Sequence, residues 1–296
     1  MKRLQHILEA VGLVPLLALI RLLPVDWASN LGGFLGRAIG PRLGITNRAR
    51  RNLRLAMPEL GDGEIERIVR AMWDNLGRVV FEYPHLGAIT DPARGRVELV
   101  DVAHVRALGA TGAPGILASA HLANWEVMPV VAARNGIDVT IIVRQLNNPL
   151  VRATLDRMRG VAGGRRAAKG KGGSRAVIET LRDRRVLGLL FDQKLNQGIP
   201  VPLFGIEAMT APAPAQLALR FGCPLIPVRI ERTGPARFRM IADPPIEVPA
   251  HGDRQAKVAA MTGALNRVLE GWIRERPDQW LWLHRRWPRE AWAKSA

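Results

Sequence analysis

One cysteine, Cys223, stands in the 296 residues. That excludes an intramolecular disulfide and any zinc centre built on cysteines. It precedes the apolar run Pro224-Leu225-Ile226 and reads as a small buried residue. Tyrosine occurs once and phenylalanine six times, against eight tryptophans. Tryptophan favours sites with an apolar body and a wet edge, the membrane interface among them. Acidic residues are also scarce: 26 Asp and Glu against 43 Lys and Arg leave a net charge of +17. Such an excess calls for an acidic partner, whether nucleic acid, anionic lipid, an acidic carrier protein or a phosphorylated substrate. No G-x-S-x-G elbow surrounds Ser119, no Cys or Ser stands out as a covalent nucleophile, and no internal repeat is present.

The N-terminal apolar stretch runs from about Ile7 to Leu23. Its uncharged part, between Glu9 and Arg21, is about 11 residues, short of the ~20 that cross a bilayer. No A-x-A-like cleavage site follows, so an uncleaved anchor or an interfacial helix is expected, with a plain buried helix as the alternative. Pro15 and Pro24 would kink or end it, and Lys2 and Arg3 suit a cytoplasmic N-terminal side.

Hydrophobic residues make up 48% of the chain, enough for a substantial core. Residues 24–95 have a helical texture, with Asp62 as a plausible N-cap. From about Asp91-Pro92 onward, strand-like runs (Val97–Val102, Gly115–Ala120, Val139–Val143, Val186–Phe191, Pro224–Ile230, Phe238–Ile241) alternate with helical stretches, Pro149–Arg159 among them. This alternation indicates an α/β domain, a sheet flanked by helices. The organisation expected is an N-terminal membrane-associated helix over 1–24, a helical region over 25–95 and an α/β core over 96–296. Ligands in such sheets gather beyond the carboxyl ends of strands. His121 follows one run, Asp192 and Gln193 follow another, and the two strand ends are expected to share a crevice. The low-complexity stretch Gly163–Ser174 fails the phosphate-loop spacing, because Lys171 is followed by Gly172. It is left as either an anion contact or a solvated loop.

His121 and Glu126 form the one candidate catalytic pair. Neutral imidazole can take a proton at physiological pH, and a carboxylate on its far nitrogen fixes the tautomer. Residues five apart on one helix lie about 140° apart, so His121 belongs in the turn and Glu126 in the first turn of the following helix. Pro129 then requires a late helix start or a kink. By spacing alone the pair is a weak signal, since the chain has six histidines.

The neighbouring residues strengthen it. The block from His121 to Glu126 resembles the H-x-x-N-W-E segment of the lipid A biosynthesis (late, lauroyl/myristoyl) acyltransferase family. Val143–Leu150 is similar to that family's R-x-x-x-N-P-L segment. Asp192-Gln193 with Gly198–Gly205 resembles its D-Q and V-P-F-F-G block, and Pro277–Trp287 its closing P-E-Q-Y-x-W-x-H-R-R-F segment. The resemblance implies a glycerolipid acyltransferase-like fold, a mixed sheet flanked by helices. It implies transfer from acyl carrier protein to a hydroxyacyl chain of an anionic lipid A precursor, at the inner membrane with the site facing the cytoplasm. It makes His121 the base and Glu126 its partner. It places Asn124, Arg144, Arg159, Asp192, Gln193, Arg285 and Arg286 near substrate, and it calls for no metal and no cofactor. Lys194 stands where some members carry a second acid.

The charge distribution fits an anionic substrate: Arg144 to Arg185 holds about 12 Lys and Arg against about 3 acids. The same acyl transfer to another glycolipid or phospholipid is the alternative. A basic nucleic-acid-binding protein fits less well, because no recognition motif is visible. The C-terminal Trp280, Trp282, Trp287 and Trp292 lie among arginines, which leaves two readings open: an interfacial patch, or core packing beneath a basic surface.

Overall fold

The computed structural model describes residues 13–143, 148, 153, 165–168 and 171–293. Helices α1 (13–22), α2 (Val25–Ile39), α3 (Thr46–Ala56), α4 (Asp62–Glu82) and the short α5 (Leu86–Ile89) come first. The N-cap of α4 is Gly61, so Asp62 sits at the first helical position, where its charge suits the positive helix end. Helices α2 and α4 pack closely because glycines face each other. A Cβ on Gly36 would lie 2.1 Å from the Trp73 carbonyl oxygen, and one on Gly77 2.1 Å from that of Gly32. Only glycine permits that approach, and it brings Ser29 of α2 within reach of Glu82 at the end of α4.

The second part alternates. It runs β1 (Val97–Val100), α6 (Ala103–Thr111), β2 (Gly115–Ser119), α7 (Val127–Arg134), β3 (Val139–Val143), β4 (Arg165–Ala168), α8 (Lys171–Arg182) and β5 (Val186–Leu190). Then come β6 (Ile199–Leu203), β7 (Ile206–Thr210), α9 (Ala213–Phe221), β8 (Leu225–Gly234), β9 (Arg237–Ala242), α10 (Arg254–Glu275) and α11 (Arg289–Ala293). Seven strands form a mixed sheet in the order β1-β9-β8-β2-β5-β3-β4, parallel except for the β8–β9 hairpin.

Strand β2 is buried at every position, as a central parallel strand covered on both faces must be. Its residues alternate between two cores. Ile116 and Ala118 join the cluster under α3, α4 and α10, while Leu117 joins the one under α6 and α7. Helices therefore flank both faces of the sheet.

Two departures from the sequence reading have physical causes. Arg165–Ala168, read as part of a loop, forms β4 and pairs in parallel with β3 at the end of the sheet. A charged segment suits an unprotected edge. The β6–β7 hairpin was not foreseen, because Pro200 and Pro202 interrupt the run. In the structure both prolines point outward from a two-stranded ribbon, where the missing N–H costs little. Its turn places Phe204 and Gly205 at φ of 55° and 70°, the left-handed pair that a two-residue hairpin requires. Phe204 tolerates this with its ring packed 6.2 Å from that of Trp287 and the Arg274 guanidinium 4.7 Å away.

Among the described residues no helix is long and apolar enough to cross a membrane. The expected helix Pro149–Arg159 lies outside the described residues, apart from Ala153.

Candidate active site

The site forms where β2 and β5 end side by side. Their register pairs Ser119 with Leu190, and the amide of Phe191 donates to the Ser119 carbonyl at 2.9 Å. Two residues beyond each strand lie His121 and Asp192, so the two side chains emerge together. The two strand ends expected to lie together therefore do so.

The carboxylate on His121 is that of Asp192, where the sequence reading placed Glu126. His121 Nδ1 lies 2.8 Å from Asp192 Oδ1. Oδ2 accepts from the backbone N–H of His121 at 3.0 Å and from Trp280 Nε1–H at 2.9 Å. Asp192 is wholly buried. Burial alone would raise its pKa, but the His121 charge, the two hydrogen bonds from His121 and the nearby His284 hold it well below the usual carboxylate range. Burial works against a charged His121 too, yet the Asp192 charge and hydrogen bond, with a further contribution from Glu126, raise its pKa above 6.5.

On the other side of the ring, the Gln193 side-chain amide lies 3.2 Å from His121 Nε2 and 3.0 Å from His284 Nε2. One NH2 group donating to both is consistent with neutral imidazoles carrying lone pairs at Nε2. Burial, helped by the His121 and Arg48 charges and resisted by Asp192, pushes the His284 pKa down to about 4. The two histidine rings meet edge to face at 5.0 Å, and Trp125 stands at the same distance on another side of His121.

Glu126 is the N-cap of α7, one residue before the first turn, and acts on the ring through its charge. Both ring nitrogens of His121 are engaged elsewhere. The helix starts late, at Val127, which puts Pro129 within the first turn, where no intrahelical donor is lost.

The turn between β2 and α7 is held from below by a buried network. Asn124 Nδ2 donates to Glu82 Oε2 at 2.8 Å, and Asn75 Nδ2 to the Ala123 carbonyl at 3.2 Å. Ala123 sits at φ 43°, a conformation that needs this support. Glu82 is fully buried and bonded by Arg232 through both carboxylate oxygens, with Ser29 Oγ donating at 2.7 Å. Arg232 Nε also reaches Asn75 Oδ1 at 2.9 Å. Asn124 is itself completely buried, so it shapes the turn rather than facing the crevice.

The closing segment runs beside this turn. The Ala123 amide donates to the Gln279 carbonyl and the Leu281 amide to the His121 carbonyl, at 2.9 and 3.1 Å. Trp280, Trp282 and Trp287 have no exposed surface. Core packing is therefore the correct reading for Trp280 and Trp282, each ring removing roughly 150–250 Å² from water. Arg286, expected near substrate, is also buried. It donates to the Met209 carbonyl at 3.1 Å and to Thr210 Oγ1 at 2.6 Å, and its burial lowers its pKa to about 10. It braces β7 and does not open onto the crevice. Arg285 is exposed, its guanidinium 5.9 Å from the Trp292 ring. Arg144 and Arg159 lie outside the described residues.

The residues that sequence reasoning missed are Glu82, Arg232, Asn75, Trp280 as a hydrogen-bond donor, and His284 as the second histidine of the site. His284 carried a signal, since it lies in the closing block. The Glu82–Arg232 pair carried none, being two single charges 150 positions apart.

The chain is 27% identical over 249 residues to a lipid A biosynthesis lauroyltransferase of Escherichia coli (strain K12), covering 80% of this chain and 76% of that protein. It is 27% identical over 190 residues to a phosphatidylinositol mannoside acyltransferase of Mycobacterium tuberculosis (strain CDC 1551 / Oshkosh), covering 62% of this chain and 58% of that one. The bacterial lipid A biosynthesis acyltransferase family matches residues 2–289. The chain belongs to that family and is an acyltransferase.

Proposed function

We propose that this acyltransferase moves a fatty acyl chain from a thioester on acyl carrier protein to a hydroxyacyl chain of a lipid A precursor, with His121 as general base. The observation that carries the reading is the His121–Asp192 contact. A proton held on Nδ1 by a buried carboxylate leaves Nε2 as a lone pair aimed at the crevice. The acceptor hydroxyl takes the place beside Nε2 now held by the Gln193 amide. Its oxygen attacks the thioester carbonyl while its proton passes to Nε2. The carbon–sulfur bond then breaks, and the imidazolium returns the proton to the departing thiolate. Asp192 stays ionised and steadies the imidazolium, and the charge of Glu126 adds to that effect. His284, uncharged near neutral pH, avoids adding a competing positive charge.

The net charge of +17 favours encounter with an acidic carrier protein. The setting we propose is the cytoplasmic face of the inner membrane. Leu16, Leu19 and Leu22 of α1 and Trp27, Leu31 and Phe34 of α2 are all exposed, Leu22 at 80% and Trp27 at 73%. Such a concentration of apolar side chains beside a strongly basic surface suits a helix pair lying in the headgroup region.

Similarity to the mannoside acyltransferase favours a second reading, in which the acceptor is another membrane glycolipid or phospholipid. A panel of acyl-carrier thioesters tested on a lipid A precursor and on a phosphatidylinositol mannoside, with mass spectrometry of the products, separates the two. Product on the lipid A precursor alone supports the first reading. Product on the mannoside alone overturns it.

A further inference from the structure

A second feature lies beside His284 and supplies no group that takes or gives the proton in the step above. A cleft of about 660 Å³ opens between the start of α3 and the C-terminal segment, lined by Arg48, Arg51, Arg285, Arg289, Trp292 and Ile45 with the backbone around them. Four arginines converge on it, and none makes an ion pair among the described residues. Their neighbours on α3 behave differently: Arg50 pairs with Glu66 and Arg54 with Asp62. Within α3 the uncompensated charge therefore falls on the two arginines that line the cleft.

Trp292 supplies an aromatic wall. The Arg51 and Arg285 guanidiniums lie 6.0 and 5.9 Å from its ring. Its indole N–H is fixed by Asn52 Oδ1 at 3.1 Å. Asn52 is fully buried and donates to the carbonyls of Trp282 and His284, at 2.8 and 2.7 Å. Arg48 is similarly tied, its Nη1 donating to the Leu283 carbonyl at 3.0 Å. The cleft and the His284 backbone are thus braced by the same side chains.

The other rim is apolar. Ile45 is exposed while lining the cleft, and Leu43 and Ile39 continue the exposed surface back to α2. A site with four guanidiniums that make no ion pair among the described residues on one side and exposed aliphatic residues on the other matches an amphiphile. A phosphate monoester carries about −1.5 to −2 at neutral pH and accepts bidentate hydrogen bonds from arginine.

We propose that this cleft binds a phosphate monoester on the head group of the lipid acceptor, while the acyl chains of that lipid lie along the apolar face of α1 and α2. The proposal rests on the acceptor being a membrane lipid, as argued above. It adds Arg48, Arg51, Arg289 and Trp292 to the substrate-recognition residues and makes the phosphate a determinant of acceptor choice.

The test uses the full chain and vesicles of phosphatidylcholine doped with either phosphatidic acid, a monoester, or phosphatidylglycerol, a diester. The two vesicle types are matched in zeta potential and compared by cosedimentation. Wild type should prefer the monoester. Arg51→Ala/Arg289→Ala should lose that preference and about 30-fold in affinity for phosphatidic acid vesicles, from roughly five- to sixfold for each of the two arginines near an anionic surface. Arg106→Ala/Arg182→Ala removes two exposed arginines on other helices and should weaken both vesicle types equally without abolishing the preference. Arg285→Glu reverses the charge of a third, exposed cleft arginine and should behave as the cleft pair does.

Retention of the monoester preference by both cleft variants overturns the proposal. So does its equal loss in the Arg106/Arg182 control. Protection of wild-type tryptophan fluorescence by inorganic phosphate, without any vesicle preference, assigns the cleft to a free anion and overturns the lipid source. The vesicle measurement requires no acyl transfer. A chain that shows the preference but acylates no lipid A precursor therefore contradicts the proposed acceptor and not the cleft.

Discussion

Asp192→Asn isolates the contact on which the chemistry turns. The substitution keeps shape and volume but leaves one acceptor oxygen where there were two. In the structure Oδ2 accepts two N–H groups, from the His121 backbone and Trp280, while Oδ1 faces His121 Nδ1. An asparagine satisfies both N–H donors only by placing its oxygen at the Oδ2 position. Its NH2 then points at Nδ1 and forces that nitrogen to accept. The ring proton moves to Nε2, and the lone pair that should take the hydroxyl proton is gone. Loss of the correct tautomer in a comparable triad costs about 10⁴-fold in turnover, close to 5 kcal/mol at the transition state. The fold should survive, because the amide still fills the buried space and answers the two N–H donors. Single-turnover transfer from an acyl-carrier thioester, followed by mass spectrometry, measures the effect, and circular dichroism checks the fold. The stability difference has a sign of its own. Asp192 is held below 3.8 in the folded state, so its ionised form stabilises the protein above that value and the contribution fades as pH falls. The gap in stability between wild type and Asp192→Asn should therefore narrow in acid. A folded Asp192→Asn protein with turnover within a few-fold of wild type would refute the tautomer argument.

Three further outcomes follow from the same geometry. Because the His121 pKa is raised above 6.5, kcat/KM should rise with pH through an apparent pKa above that value, and Glu126→Gln should move the apparent pKa downward; a wild-type profile that is flat above pH 6 contradicts this. Arg232→Ala leaves the buried Glu82 carboxylate without its bidentate partner and should cost about 3–5 kcal/mol in urea unfolding, and a cost below about 1 kcal/mol would show that the pair does not hold the site together. Trp27→Ser/Phe34→Ser should release the protein from membranes in salt-resistant pelleting while leaving its unfolding midpoint unchanged, and undiminished pelleting would remove α2 from the docking face.

Much of the fold was legible because burial dictates the pattern. Strands β2 and β5 are nearly continuous apolar runs, as parallel strands between two helical layers must be, and the residues just past them, His121 and Asp192, come together. Which strands become neighbours is a long-range property. Nothing in the local sequence states that β5 lies against β2, so Asp192 was placed near substrate while Glu126, close in sequence, was given its role. Glu82 and Arg232 look like ordinary surface charges, and only the close helix packing that Gly32, Gly36 and Gly77 allow turns them into a buried pair. Arg286 misled for the opposite reason: it stands in a basic run beside Arg285, yet the chain turns it inward to Thr210. The prolines of β6 hid a strand because the outward positions of a hairpin accept them.

The most direct test of the account is product formation by wild type and His121→Ala from one acyl-carrier thioester and one lipid A precursor. The account predicts a product one acyl group heavier from wild type and none above the uncatalysed background from a folded His121→Ala protein. Wild-type turnover by that folded variant would contradict it.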